Sequence, residues 1–256
     1  MRERRRRTLG VILIVIAMSI MVVRPESSPG PSSTTVTAPN STVPETTPTL
    51  PPAPTSKPVT PVPLDTSAPR AIDVLARLAI KGRAPKTDYQ RVQFGDGWLL
   101  VGTCDMRNII LNRDLLRPAV SASGCKVTSG TLTDPYTGKT ILFERGPDTS
   151  DLIQIDHVVA LSNAWQTGAQ LLSFEQRKAF ANDPLELLAV DGNANQAKGD
   201  GDAATWLPAN KAFRCQYVAR QIAVKAKYSL WVTQAEHDAM AQVLSNCPGQ
   251  TVPIVK

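Results

Sequence analysis

The sequence predicts an α+β fold built around two strands and the helix that follows them. Residues 153–161 form a β-branched run that predicts a strand ending near His157, and residues 185–190 predict a second strand. After a turn at Asp191-Gly192, residues 195–198 begin a short polar helix. The order of strand, excursion, strand and helix is therefore the centre of the predicted domain.

The segments before this centre predict a mixture of short helices and strands. Apolar residues at helical spacing predict one helix over residues 72–81 and another over residues 104–117. Glycines in residues 89–100 suggest a turn between short strands. The turn sequence Asp134-Pro135-Tyr136-Thr137-Gly138 interrupts an alternating stretch, so residues 126–145 are predicted to form a hairpin.

Helices dominate the rest of the predicted domain. A capping box of Ser173 and Gln176 begins one helix, and a second box of Thr233 and Glu236 begins the last one. Residues 210–228 predict a helix between them. Its cations either follow a nucleic-acid backbone or are simply solvated, and both interpretations stay open. These cations are Lys211, Arg214, Arg220, Lys225 and Lys227.

The first part of the chain is predicted to be an export signal and a linker. Residues 1–24 combine clustered arginines with an apolar run shorter than the roughly twenty residues that span a bilayer, so a cleaved signal peptide and an uncleaved anchor are both open. Residues 25–68 are rich in Pro, Ser and Thr, which predicts a disordered linker. We expect a folded domain over residues 69–250, secreted or anchored to the extracellular face of the cytoplasmic membrane.

The net charge of +6 says little about nucleic-acid binding by the folded part. Six arginines and one glutamate lie within the first 25 residues, so the rest of the 256-residue chain carries about +1. Any basic surface that contacts nucleic acid must therefore be local.

Four cysteines in an exported chain favour disulfides. Three pairings are possible, and we favour Cys104–Cys125 with Cys215–Cys247 because each closes a local loop. Zinc is disfavoured because the chain has no Cys-x-x-Cys pair and two histidines in all.

Residues near the central strands carry the chemistry that phosphodiester hydrolysis needs. His157 is a candidate general base, because an unperturbed histidine has a pKa suited to that role. Asp156 and Asn195 offer oxygen ligands for a hard cation. Lys198 lies three residues after Asn195, on the same helical face, and can hold a phosphate. The alternative is that these are an ordinary core histidine, a turn asparagine and a solvated lysine.

The pattern Asp156-His157 … Asn195-x-x-Lys198-Gly199-Asp200 resembles HNH (ββα-metal) endonucleases. The longer similarity is to the exported, actinobacterial branch of the family that shares the GmrSD restriction endonuclease C-terminal domain. Further stretches carry this resemblance over residues 70–247. They include Gln154-Ile155-Asp156-His157-Val158-Val159-Ala160-Leu161, Ala164-Trp165, Phe180-Ala181-Asn182-Asp183-Pro184-Leu185, Trp206-Leu207-Pro208 and Cys104-Asp105-x-Arg107-Asn108.

The resemblance implies a ββα-metal HNH nuclease core embedded in a helical, disulfide-stapled domain. It implies His157 as the general base and Asp156 and Asn195 as ligands of one divalent metal, Mg²⁺ with Mn²⁺ as an alternative. It also implies Lys198 as a phosphate contact. Such nucleases usually carry asparagine where this chain has Glu186. The glutamate could brace the loop that holds the histidine, reach the metal or mark lost activity, and we favour the brace.

We therefore predict a metal-dependent endonuclease that hydrolyses phosphodiester bonds of DNA, with RNA as an alternative substrate. The main rival is a catalytically inactive HNH-fold envelope protein that binds nucleic acid or cell wall, and Glu186 is its best support. A third hypothesis is the effector half of a restriction or inter-bacterial system. Export argues against the restriction version, because its substrate is cytoplasmic.

Overall fold

A computed structural model of the protein describes residues 68–253, which form the predicted mixture of helix and sheet. The predicted signal, and the predicted linker up to residue 67, lie outside the described residues. Within 68–253, no helix is both long and apolar enough to cross a membrane. The α-helices of this range are α1 (Ala71–Leu75), α2 (Met106–Asp114), α3 (Leu161–Gln166), α4 (Phe174–Ala181), α5 (Gly192–Lys198), α6 (Arg214–Lys227) and α7 (Gln234–Leu244). The strands are β1 (Leu100–Val101), β2 (Cys104–Asp105), β3 (Leu116–Val120), β4 (Val127–Thr133), β5 (Thr140–Glu144), β6 (Ile153–His157) and β7 (Leu187–Asp191).

One antiparallel sheet joins β3, β4 and β5 in that order. The hairpin predicted over residues 126–145 is confirmed as β4 and β5. The buried Asp134 side chain closes the turn by accepting from the Thr137 N–H at 2.6 Å. Its other oxygen accepts from the Asp191 N–H at 2.9 Å. One aspartate therefore ties this hairpin to the end of β7.

Two further sheets are two-stranded and antiparallel: β1 pairs with β2, and β6 pairs with β7, which occupy the two strands predicted at the centre of the domain. Their pairing runs from Ile153 opposite Asp191 to His157 opposite Leu187. The excursion between them holds α3 and α4. Helix α5 follows β7 directly and contacts both strands. The Asp191 side chain caps α5 by accepting from the Ala194 N–H at 2.8 Å.

The β6–β7 pair separates two apolar clusters, so both of its faces are buried. On one face, Ile153 and Ile155 join a cluster formed with α2 and the three-stranded sheet. On the other face, Leu188 joins the larger cluster of the helical half. Because side chains alternate along a strand, Gln154 and Asp156 face this second side. Polar groups buried there need partners, and those partners form the candidate site.

Both predicted disulfides are present. Cys104–Cys125 connects β2 to the loop between β3 and β4, and Cys215–Cys247 connects α6 to the segment after α7. The predicted capping boxes also form, at the first turns of α4 and α7. These features depend on residues close together in sequence, which is why local reasoning predicts them.

Helix α1 is shorter than predicted, ending at Leu75 instead of near residue 81. The residues that follow pair with Val232 instead. The Val232 N–H donates to the Ala79 carbonyl and the Lys81 N–H donates to the Val232 carbonyl, each at 3.0 Å. Tertiary pairing therefore overrides the helical spacing of this segment.

The segment over residues 89–100 is also different from the prediction. Arg91–Phe94 form a 3₁₀ helix, and strand begins only at β1. The buried Phe94 ring explains the difference, because it packs against the rings of Trp165 and Phe180 at centroid distances of 6.4 and 5.9 Å.

Most cations of α6 are engaged in holding the fold together. Lys225 is completely buried in an ion pair with Glu236, and Lys227 pairs with Asp183 at 2.6 Å. Both arginines of the helix donate to backbone carbonyls. Arg214, Arg220 and Lys225 therefore do not form the solvated face expected for residues 210–228, whereas Lys227 is half exposed.

Candidate active site

A pocket of about 480 Å³ opens beside the end of β6. His157, Asp156 and Asn195 line it, so the structure brings these three predicted site residues together. Lys198 and Glu186, the other two, are buried and do not line it. The remaining wall is mostly polar and aromatic. It includes Tyr89, Arg91, Trp98, Arg107, Gln154, Ser162, Gln196 and Asp200.

One ring nitrogen of His157 is held by the backbone, and the other has no hydrogen-bond partner within residues 68–253. Its Nε2 lies 3.0 Å from the Ala181 carbonyl oxygen. A carbonyl can only accept, so in the neutral ring Nε2 carries the hydrogen and Nδ1 carries the lone pair. Within residues 68–253, Nδ1 has no hydrogen-bond partner, and it is not completely shielded from solvent. Stacking on Trp98, with ring planes 7° apart, further fixes the ring.

The surroundings of His157 favour the neutral imidazole. Burial, and after it the positive charge of Arg91, lower the pKa of His157 to about 3. At neutral pH the ring is therefore uncharged, which is the form that can accept a proton.

Asp156 lies on the α5 side of β6, and both of its carboxylate oxygens have partners. Oδ1 accepts from Lys198 Nζ at 2.9 Å, and Oδ2 accepts from the Tyr136 hydroxyl at 2.5 Å. Burial raises the pKa of this carboxyl, while Lys198 and the two hydrogen bonds oppose the rise. Each oxygen keeps a further lone pair, so the carboxylate retains acceptor capacity.

The structure places Lys198 differently from the predicted phosphate contact. Its side chain is completely buried, and Nζ donates to Asp156 and to the His157 carbonyl at 2.8 Å. A buried carboxylate needs a compensating cation, and Lys198 supplies it. Lys198 therefore supports both Asp156 and the end of β6 from the protein side of the pocket.

Asn195 is held on α5 by a side chain of β6. Its Nδ2 donates to Gln154 Oε1 at 2.9 Å. With the amide group oriented in this way, the Asn195 Oδ1 is the atom left to accept a hydrogen bond or bind a cation. Its neighbour Asn193 is exposed and does not line the pocket.

Glu186 contacts the segment that follows His157. Its carboxylate oxygens lie 3.2 Å from the Val159 nitrogen, which donates to them, and its backbone carbonyl accepts from the Val158 N–H at 2.9 Å. The side chain is completely buried, and burial raises the pKa of Glu186 well above its ordinary value. These contacts are those of a brace for the loop after the histidine, the interpretation that the sequence favours.

We expect Glu186→Gln to preserve stability and Glu186→Ala to lower it by about 2 kcal/mol. Glutamine keeps an acceptor for the Val159 N–H without a charge, whereas alanine leaves that buried N–H without a partner. Urea unfolding with intact disulfides measures both changes. Because the folded-state pKa of Glu186 is raised, wild type should lose stability relative to Glu186→Gln as pH rises through that pKa. Equal losses for both variants would contradict the brace.

Sequence reasoning missed several residues of the site. Gln154 could be found, because it lies two residues before Asp156 and therefore on the same strand face. Tyr136 gives no such signal, since it belongs to the hairpin turn and reaches Asp156 only through the tertiary fold. Trp98 and Arg107 come from separate early segments and are likewise joined to the site by folding alone.

The pocket contains oxygen donors of the kind that bind a divalent cation. Asp156, Asn195 and Gln154 provide oxygen atoms, the ligands that Mg²⁺ prefers. Among residues 68–253, no group of three His, Cys, Asp or Glu side chains could hold a metal ion. Mg²⁺ typically uses one or two carboxylates, waters and substrate phosphates, so these residues fit a loosely held Mg²⁺. They do not fit a structural zinc site, which takes four Cys or His ligands in a closed shell.

The chain is similar to a known protein family and to a secreted protein. A family profile described as GmrSD restriction endonucleases, C-terminal domain, matches residues 109–243. The chain is also similar to an "Uncharacterized secreted protein" of Arthroderma benhamiae, with 39% identity over 195 residues, covering 73% of this chain and 92% of that protein. No solved structure matches the chain with significance.

Proposed function

We propose a function for this chain, which belongs to the family of the GmrSD restriction endonuclease C-terminal domain. It is an exported, metal-dependent HNH endonuclease that hydrolyses phosphodiester bonds of DNA. The observation that carries the proposal is the orientation of His157. Its Nε2 is held by the Ala181 carbonyl, which leaves Nδ1 without a hydrogen-bond partner in residues 68–253, and the residue lines the polar pocket. The order of β6, β7 and α5 supports the assignment of a ββα-metal core.

In the proposed reaction, His157 Nδ1 accepts a proton from the water that attacks phosphorus. The Ala181 carbonyl holds the required tautomer, and the Trp98 ring restricts rotation of the imidazole. The lowered pKa of His157 keeps the ring in its neutral, proton-accepting form at neutral pH. A bound phosphate anion would favour the imidazolium ion that forms during the reaction.

Asp156 and Asn195 would hold the divalent cation. A bound Mg²⁺ or Mn²⁺ would offset the negative charge on the phosphate and on the leaving oxygen. Lys198 and Tyr136 fix the direction of the Asp156 carboxylate, and Gln154 fixes the amide orientation that leaves the Asn195 oxygen free.

Export is part of the proposal. The predicted signal over residues 1–24, two disulfides and the relative described as secreted all support an extracellular location. Nucleic acid outside the cell is then the substrate.

We expect the purified, oxidised protein to cleave plasmid DNA with Mg²⁺ or Mn²⁺ and to be inactive in EDTA. Asn195→Ala should lower cleavage at limiting metal by at least about tenfold, in line with the cost of disturbing metal ligation. Asn193→Ala is the matched control on the same helix. Titration with Mn²⁺ measures metal affinity separately from activity, and a parallel RNA substrate tests the alternative. Cleavage in EDTA, or equal losses in both asparagine variants, would contradict the metal site.

A non-catalytic binding module is the second candidate function. The ion pair of Lys198 with Asp156 favours it, because that pair already neutralises the carboxylate without a metal. The plasmid assay separates the two candidates. A folded protein that binds DNA and leaves it intact with either cation would support the binding module.

A further inference from the structure

The candidate nuclease site needs a group that holds the substrate phosphate. Lys198, the residue predicted for that role, is committed to Asp156 and to the His157 carbonyl. The pocket nevertheless contains two other cationic side chains, Arg91 and Arg107. These two arginines come from separate segments, on either side of β1.

Arg107 is a half-buried cation without a carboxylate partner. One of its terminal nitrogens, Nη2, donates to the carbonyls of Ser150 and Ile153 at 3.2 and 3.4 Å. In the part of the chain that the structure describes, no acidic oxygen pairs with this guanidinium and its other N–H groups have no hydrogen-bond partner. Burial and the nearby Arg145 charge lower the pKa of Arg107, while Asp105 and Asp151, neither of which pairs with it, oppose that shift.

Arg91 is an exposed cation near the proposed base. It lies on the 3₁₀ helix Arg91–Phe94, lines the same pocket and makes no ion pair within residues 68–253. His157 lines that pocket as well, so a negative group bound there by Arg91 would lie near the His157 ring.

The acidic residues of the pocket are already paired. Asp156 pairs with Lys198 at 2.9 Å, and Asp200 pairs with Lys86 at 3.1 Å. The two arginines have no acidic partner in the described part of the chain, so they give the pocket wall unpaired positive charge. Polar walls with unpaired arginines suit a phosphate better than an apolar or cationic ligand.

We propose that Arg91 and Arg107 form a phosphate-binding site that holds the backbone of a DNA substrate against His157. This inference rests on the proposed nuclease function and names the residues that take the role expected of Lys198. Arginine suits that role, because its planar fork can donate two parallel hydrogen bonds to phosphate oxygens. Arg107 acts from a fixed position set by its two carbonyl contacts, and Arg91 acts from the exposed rim.

The test measures DNA binding without cleavage, by fluorescence anisotropy of a short labelled duplex in EDTA with the full oxidised chain. Arg91→Met and Arg107→Met should each weaken binding by about tenfold and lower the slope of log affinity against log salt by about 0.9. Arg77→Met is the matched control, since Arg77 is exposed and lies outside this pocket. Arg107→Lys should keep the salt slope and lose affinity, because it keeps the charge and loses the fork.

The outcomes distinguish this inference from the proposed function. If wild type cleaves DNA and both Arg91→Met and Arg107→Met bind DNA as tightly as wild type, the phosphate site is wrong and the proposed nuclease function is retained. If Arg77→Met weakens DNA binding as much as the two pocket variants do, the effect comes from overall charge, and the phosphate site is again wrong. If wild type neither binds nor cleaves DNA, both the phosphate site and the proposed nuclease function are wrong. If thermal unfolding shows that Arg107→Met is misfolded, the DNA affinities of Arg91→Met and Arg107→Lys test the phosphate site instead.

Discussion

Replacing His157 by glutamine is expected to lower DNA cleavage by about 10²- to 10⁴-fold, the usual contribution of a general base. Glutamine keeps an N–H donor that can reach the Ala181 carbonyl, so the end of β6 should stay in place. It has no basic nitrogen at the position of Nδ1, so the proton of the attacking water has no acceptor. Initial rates of plasmid nicking at saturating Mg²⁺ measure the loss.

The chain supplies its own control for this substitution. His237, the other histidine, lies on α7, contacts Asp238 at 3.1 Å and does not line the pocket. His237→Gln should therefore cleave at the wild-type rate. A His157→Gln rate within a few fold of wild type would exclude His157 as the base.

The same variant exposes a pH effect on stability. The folded-state pKa of His157 is about 3, below the ordinary value of 6.5, so between these values the unfolded chain binds a proton that the folded chain does not. Stability is therefore lost as pH falls from 6.5 toward 3, by about 1.4 kcal/mol per pH unit. The raised pKa values of Asp156 and Glu186 act in the opposite direction, but they act in both proteins. Urea unfolding at several pH values should show the gap between wild type and His157→Gln changing by this slope.

What the sequence predicts well in this protein is local. The capping box of Ser173 and Gln176 and the turn around Asp134 form as expected, because each depends on residues a few positions apart. The disulfides also follow from short sequence separations. His157, Asp156 and Asn195 share a pocket because strand, strand and helix follow one another along the chain.

What the sequence does not predict is the direction taken by charged side chains. Helical spacing places Lys198 beside Asn195, but spacing does not show that a buried carboxylate lies underneath. Likewise Lys225 looks like one more cation of a basic helix, and only the tertiary fold brings Glu236 to it. In both cases the desolvation of an acidic group decides where the lysine lies, and that depends on packing between distant segments.

Removing the buried partner of Glu236 should give the largest stability loss in the domain. Lys225→Met is expected to lower the free energy of unfolding by about 3–5 kcal/mol, because it leaves a carboxylate without a cation in the core. Both side chains are completely buried, with Lys225 Nζ 2.9 Å from the carboxylate. Nζ also donates to the Trp231 carbonyl at 3.0 Å and to Asn163 Oδ1 at 3.3 Å. Urea unfolding at neutral pH, with intact disulfides, measures the loss.

Two further variants separate charge from packing. The double variant Lys225→Met with Glu236→Leu should recover most of the loss, since replacing a whole buried pair by apolar groups is often close to neutral. Asp73→Asn breaks the exposed Arg70–Asp73 pair, whose atoms are 2.8 Å apart, and should change stability far less. A double variant as unstable as Lys225→Met would show that packing, not an unpaired charge, causes the loss.

The pH dependence of Lys225→Met follows from the same pair. Burial raises the pKa of Glu236, and Lys225 opposes that rise. Without Lys225, the folded-state pKa should rise further, so the folded form binds a proton more readily than the unfolded form. The variant should therefore regain stability relative to wild type as pH falls, and a gap that does not narrow would contradict the buried charge. Because Asn163 lies on α3, which begins just after His157, this ion pair also anchors the helix that forms part of the pocket wall.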